Sequence, residues 1–386
     1  MDLSKMTDSP LSENNRLELD LAAAAMEQQT ALLRILDANG NRATEGLRVV
    51  EDFARFALND RHLAALSKQL RHELTVALNE IPLVARLAVR DTPGDVGTGI
   101  TEATELQRED GWHVATASAA RVQQALRCLE EYSKPLCVEL ATRFEALRYR
   151  MYVLQRSLGI TVSSANRLHG IRLYVLLAGQ QTERKFRDRL KELLGAGVEL
   201  FQLRDKILDD RQLLARARIM RETIDTFCSD ENQRPLMIIN DRSDIAVLSS
   251  ADGVHVGQEE LSVADVRAIV GPKRLIGVST HSIEQARQAV LDGADYIGCG
   301  PTFPTVTKKF PHYPGLEFLA QVNAEISLPG FAIGGINRQR LSEVLETGVG
   351  RIAVSSALDQ AENPFDEAEQ LLQRLDEAID PADLAE

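Results

Sequence analysis

Apolar residues recur at three- and four-residue steps between residues 28 and 56, where Leu32, Leu33, Leu36, Ala43, Leu47, Val50 and Phe53 form one stripe. That spacing predicts an amphipathic helix. Similar stripes run through 61–79, 81–90, 115–133 and 136–158. The clear interruption is 90–99, whose Pro93, Gly94, Gly97 and Gly99 mark a loop. Residues 1–20, polar and acidic, are expected to form a flexible tail, so the pattern predicts an all-α domain over 21–165.

Near residues 162–166 the pattern changes to short apolar runs alternating with helical stretches. Strands are expected at 171–178, 198–203, 235–240, 253–256, 275–279, 296–300, 331–334 and 352–355, with helices such as 183–194, 283–291 and 338–346 between them. Eight βα units in this length predict an α/β domain, a (β/α)8 TIM barrel over residues 168–380. A doubly wound open sheet is the alternative, but the first strand runs into Ala178-Gly179-Gln180-Gln181 without the Gly-rich phosphate turn such sheets carry.

Composition agrees with a folded chain: of 386 residues, 44% are hydrophobic and 26% charged, which excludes disorder and collagen. Four cysteines (Cys128, Cys137, Cys228, Cys299) without a CxxC pair make no disulfide framework and point to reduced thiols in the cytoplasm. The amino terminus lacks a signal peptide's apolar stretch, and no apolar run approaches a membrane span. The net charge of −13 argues against nucleic-acid binding, though a small anion needs only a few local donors. Residues 1–170 carry a net −3 and the remainder −10, which reads as a solvated outer ring of helices. Expected partners are small molecules, with no nucleic acid or membrane; a homo-oligomer stays open.

Barrels place chemistry at the carboxyl ends of their strands. The second strand ends Gln202-Leu203-Arg204-Asp205-Lys206. Alternation puts Gln202, Arg204 and Lys206 on one face, suited to an oxyanion, although an Arg-Asp-Lys triplet could equally be a surface ion pair. The third ends Asn240-Asp241-Arg242, where Asp241 either coordinates Mg2+ or caps the next helix. Glu260, ahead of a helix start at Ser262, is a second carboxylate for the same metal, and His255 reads as a packed strand residue. The fifth strand brings Ser279 and Thr280, and the long loop after Gly300-Pro301 brings hydroxyls and Lys308. Gly334-Gly335 after the seventh strand and Ser355-Ser356 after the eighth form the usual barrel phosphate cradle. Two phosphorylated ligands in one mouth suggest group transfer with diphosphate as leaving group.

Seven ordered strings carry a resemblance: QLRDK at 202–206, NDR at 240–242, ADGVHVGQEEL at 251–261, GVSTH at 277–281, GPTFPTVTK at 300–308, AIGGI at 332–336 and VSSA at 354–357. Together they resemble the thiamine phosphate synthase family over about residues 168–360. The resemblance implies that hydroxymethylpyrimidine diphosphate is joined to thiazole phosphate, through departure of diphosphate and capture of a methylene cation by the thiazole nitrogen. It implies that Gln202, Arg204, Lys206, Asn240, Ser279 and Lys308 bind the pyrimidine diphosphate, with Leu203, Asp205 and Val306 in the same binding segments. Lys308, Arg204, Lys206 and Ser279 would carry the catalysis. Thr305, Thr307, Gly335, Ser355 and Ser356 would hold the thiazole phosphate, and Asp241 and Glu260 the Mg2+. The family usually has Asp where Glu260 stands, which makes its metal role less secure than that of Asp241. A barrel that binds thiazole phosphate without coupling it, as isomerase or regulator, is the competing reading.

In the helical half, NRATEGLRVVEDFARF and RDTPGDVGT resemble a domain fused to some of these synthases and proposed as an alternative hydroxymethylpyrimidine phosphate kinase. The polar residues Asn39, Asn41, Arg42, Glu45, Arg48, Glu51, Asp52 and Arg55 otherwise read as a solvated helix face, in a bundle serving only dimerisation or scaffolding.

Overall fold

The computed structural model describes residues 13–97, 107–230, 233–304 and 313–378, with side chains from Ala24 onward. The chain divides into two compact units, Met1–Phe53 with Ala64–Gln155, and Ala54–Leu63 with Arg156–Glu386.

The first unit is built from helices α1 (Glu13–Asp52), α2 (Arg61–Leu78), α3 (Leu83–Ala88), α4 (Gly111–Ser133) and α5 (Val138–Arg167), of which α2 and α5 each run on into the second unit. Helix α1 begins inside the segment expected as a tail and runs without a break through Asn39-Gly40-Asn41. The predicted stripe is its buried face, with Leu36, Ala43, Leu47 and Val50 almost fully enclosed. At Gly46 a Cβ would stand 2.6 Å from Val122 Cγ2, so the missing side chain lets α1 and α4 approach closely. The loop after α3 starts at Arg90, whose guanidinium donates to both carboxylate oxygens of buried Asp37 at 2.7 and 3.0 Å.

The second unit is a closed parallel barrel in sequential order, β1 to β8 with β8 back on β1. Its strands are β1 (Leu173–Leu177), β2 (Leu200–Leu203), β3 (Leu236–Asn240), β4 (Gly253–Val256), β5 (Leu275–Thr280), β6 (Tyr296–Cys299), β7 (Gly330–Ile333) and β8 (Ile352–Val354). Helices α6 (Glu183–Gly195), α7 (Asp210–Phe227), α8 (Ser243–Leu248), α9 (Val263–Val270), α10 (Ile283–Asp292), α11 (Gly315–Glu325), α12 (Leu341–Leu345), α13 (Ser356–Asp359) and α14 (Pro364–Glu377) follow the strands. Their starts are local chemistry: Thr182, Asp209, Ser262, Ser282 and Asn363 each accept from a backbone N–H of the first turn.

Inside the barrel one cluster joins Tyr174, Leu176, Leu200, Ile238, Leu275, Tyr296, Phe331 and Ala353. Three large rings fit because small residues face them. A Cβ at Gly277 would overlap the Tyr296 ring and lie 2.5 Å from His255 Nδ1.

Candidate active site at the carboxyl ends of the strands

Above this core a cavity of about 170 Å³ opens at the strands' carboxyl ends. Gln202, Arg204, Lys206, Asn240, Asp241, Glu260, Ser279, Gly335, Ser355 and Ser356 all line it, so residues spread over 155 positions of sequence meet in one place. The β2 side is built by continuing the ladder past the strand: the Arg204 N–H donates to Leu177 O at 2.8 Å, which keeps Arg204 and Lys206 on the face of Gln202. By the same alternation Leu203 is buried on the opposite face, away from the cavity. Asp205 does not pair with its neighbours. Its carboxylate accepts from the N–H groups of Gly179, Ile207 and Leu208 at 2.8–2.9 Å and so shapes the β2–α7 loop. Burial pushes this carboxyl up, but those donors and nearby Arg216 hold it below the usual range. Thr305, Val306, Thr307 and Lys308 lie outside the described residues.

Asp241 is fixed by its backbone. Its N–H donates to His255 O at 2.8 Å, and its φ of 60° turns the side chain toward the mouth. It does not cap α8, whose N-cap position is Arg242 and which has no side-chain cap; instead Asn240 Nδ2 donates to Asp241 Oδ2 at 2.6 Å. Lys206 Nζ stands 3.8 Å from the same oxygen. Burial raises the Asp241 pKa, and the negative charge of Glu260 raises it further, against the pull of Lys206, Asn240 and Arg204. The Glu260 carboxylate lies over Gly257, where a Cβ would come within 2.5 Å of Oε2. Two carboxylates facing one cavity beside cations are a donor set for a hard cation that also takes phosphate oxygens. Among the described residues no group of three or more His, Cys, Asp or Glu is arranged to hold a metal ion.

On the opposite side, Gly334 and Gly335 have φ of 102° and 67°, a turn closed to other residues because a Cβ would strike Pro301 or Pro304. Arg340 Nη1 donates to Gly335 O at 2.9 Å and holds the turn.

The floor of the cavity is polar, and sequence reading did not find it. Gln202 Nε2 donates to the Tyr174 hydroxyl at 2.5 Å, Tyr174 and Tyr296 hydroxyls are 2.9 Å apart, and the Tyr296 hydroxyl is 3.2 Å from His255 Nδ1. His255 Nε2 is 2.9 Å from Ser279 Oγ. His255 is therefore packed inside the barrel, where burial, and then the charge of Arg204, push its pKa down to about 4. The available signal was the two-residue period, which sets Tyr174 with Leu176 and Tyr296 with Gly298 on the inward face.

In the helical unit, four of the singled-out polar residues pair within α1 or with α2, and two of them, Asn39 and Glu51, are buried where a solvated face was expected. Asn39 Nδ2 donates to Ile35 O, Arg48 pairs with Glu51 and Asp52, and buried Glu51 accepts from Arg71 Nε at 2.9 Å.

Residues 173–358 match the family model for thiamine monophosphate synthase, and residues 34–157 match the ThiD2 family. A thiamine-phosphate synthase of Rhodopirellula baltica is 48% identical over 86% of this chain and 89% of its own length. One from Synechocystis is 39% identical over 90% of this chain and 97% of its own. A solved thiamine phosphate pyrophosphorylase of Pyrococcus furiosus is 32% identical, covering 54% of this chain and 98% of its own, with a TM-score of 0.47.

Proposed function

Because the chain belongs to the thiamine-phosphate synthase family, we propose that its barrel joins hydroxymethylpyrimidine diphosphate to thiazole phosphate, forming thiamine phosphate and releasing diphosphate. What carries this reading is the convergence of Gln202, Arg204, Lys206, Asn240, Asp241, Glu260 and Ser279 on one side of a cavity whose other side is Gly334-Gly335 and Ser355-Ser356. A barrel that only binds thiazole phosphate would have no use for the first group.

In the reaction, the bond from the pyrimidine methylene carbon to the diphosphate oxygen breaks and its electron pair leaves with diphosphate. The thiazole nitrogen then supplies the pair for the new C–N bond. No strong base is needed, and the buried His255 is neutral. The chain's tasks are to neutralise the departing charge with Arg204, Lys206 and the loop lysine Lys308, and to hold two rings within attack distance. Asp241 and Glu260 would hold Mg2+, which supplies charge neutralisation to the diphosphate when bound. The raised Asp241 pKa supports this, since a carboxyl left unfavourably charged by its surroundings is one a cation relieves. Thr305, Thr307, Gly335, Ser355 and Ser356 would take the thiazole phosphate, with Val306 in the same substrate-binding segment.

We place the reaction in the cytoplasm: the described cysteines are free thiols, and no described helix is long and apolar enough to cross a membrane. The match to the ThiD2 family supports a helical domain, over about residues 21–165, that phosphorylates hydroxymethylpyrimidine phosphate to the diphosphate the barrel consumes. The test is one vessel containing the full chain, ATP, Mg2+, hydroxymethylpyrimidine phosphate and thiazole phosphate. Thiamine phosphate is expected. Its absence, when direct supply of the diphosphate restores product, would reduce the helical domain to a scaffold.

A further inference from the structure

Beneath the cavity, side chains from five strands form one unbroken line of hydrogen bonds: Gln202, Tyr174, Tyr296, His255, Ser279. We propose that this line has a fixed direction, in which Tyr296 is a positioning residue that holds His255 as its Nε2–H tautomer, so that Ser279 donates its hydroxyl hydrogen to an acceptor atom of the bound heteroaromatic ring. The identity of that ring rests on the synthase reading; the direction of the line does not.

The proposed direction starts from the amide of Gln202 and gives each later group a role that it can fill. The Gln202 amide nitrogen can only donate, so the Tyr174 hydroxyl 2.5 Å away accepts. The Tyr174 and Tyr296 hydroxyls are 2.9 Å apart, where either can donate; in the proposed direction Tyr174 gives its one hydrogen to the Tyr296 oxygen. Having accepted there, Tyr296 sends its own hydrogen to His255 Nδ1 at 3.2 Å. In a neutral imidazole one nitrogen accepts and the other donates, so the ring proton stands on Nε2, 2.9 Å from Ser279 Oγ. Ser279 accepts it through a lone pair, which leaves its single hydroxyl hydrogen to turn into the cavity that Ser279 lines.

Were Gln202 to present its carbonyl instead, every bond would reverse and Ser279 would face the ligand as an acceptor. The direction thus decides whether the site takes a ring nitrogen or an N–H at that point. Tyr296 has little freedom to leave its place. It is fully buried, edge-on to Tyr174 with ring centroids 5.8 Å apart and to Phe331 at 5.8 Å. It acts on the ligand only through His255, and each bond in such a line polarises the next.

The test is the proton position on His255 in the ligand-free full chain, read from long-range 1H–15N correlations with 15N-labelled histidine. A protonated Nε2 with a bare Nδ1 is expected; an Nδ1–H tautomer, or a doubly protonated ring near neutral pH, would overturn the proposal. Tyr296→Phe removes the donor to Nδ1 and should leave both tautomers populated. It should also lower kcat/KM for the pyrimidine diphosphate about tenfold, the scale of one neutral hydrogen bond, with KM for thiazole phosphate unchanged. A Tyr296→Phe protein with the tautomer intact would contradict the role of Tyr296, and if that variant does not fold, the native spectrum alone decides the direction. Because the spectrum needs no turnover, the predicted tautomer in a chain that couples nothing would sink the synthase reading and leave the direction standing.

Discussion

At the scale of the residue, Asp241 shows how a site works against its own fold. Its folded-state pKa is raised above 3.8, by burial and by Glu260, so the folded chain keeps the proton to higher pH than the unfolded chain does. Stability of the metal-free protein therefore falls as pH rises through the interval above 3.8, and at neutral pH the charged Asp241 weakens the fold. Asp241→Asn keeps a residue that tolerates the left-handed backbone and removes the charge. It should raise the thermal midpoint of the metal-free chain while lowering turnover by about 100-fold, the scale of losing one stabiliser of transition-state charge. A variant that melts lower, or turns over normally, contradicts this account of the carboxylate. His255 has the opposite sign. Its folded pKa of about 4 lies below the ordinary 6.5, so the unfolded chain binds the proton first and stability is lost as pH falls from 6.5 toward 4. The full loss is roughly 3 kcal/mol. Urea unfolding at about pH 4.5 and 7 should show a gap that shrinks in His255→Gln; an equal gap in both proteins would mean that His255 is not the group responsible.

At the scale of the element, the long periodic segments were the legible ones. The stripe through Leu36, Ala43, Leu47 and Val50 is the buried face of α1, and Ser262, expected as a helix start, caps α9 through its side chain. Short helices gave weaker signals, because six residues at Ser243–Leu248 hold less than two turns of pattern. The site was legible where the chemistry lies in a charged string at a strand end, as at Arg204 and Lys206. It was illegible where it depends on which way a tyrosine points: Tyr174 and Tyr296 look like core from sequence, and only barrel closure brings their hydroxyls within 2.9 Å. Asp205 and Leu203 show the converse, residues inside a charged string whose side chains serve the loop and the outer face. Packing between elements gives its own test. Gly46→Ala places a methyl against Val122 Cγ2, at 2.6 Å before any relaxation, and should destabilise the α1–α4 pair by about 1–3 kcal/mol. Denaturant unfolding of the full chain measures it, and a neutral result would mean that the two helices move apart freely.

At the scale of the whole molecule, charge describes the surface and not the site. The chain carries −13, yet the cavity mouth gathers Arg204 and Lys206 where anionic substrates are expected. Two family models match two stretches of one chain, 34–157 and 173–358, and on the proposed reading the helical half feeds the barrel. The barrel's coupling reaction is the claim on which the rest depends. Purified full chain given hydroxymethylpyrimidine diphosphate, thiazole phosphate and Mg2+ should form thiamine phosphate and diphosphate in equal amounts, and formation should stop when the metal is chelated. Binding of thiazole phosphate, or its conversion to an isomer, without any thiamine phosphate would contradict the account.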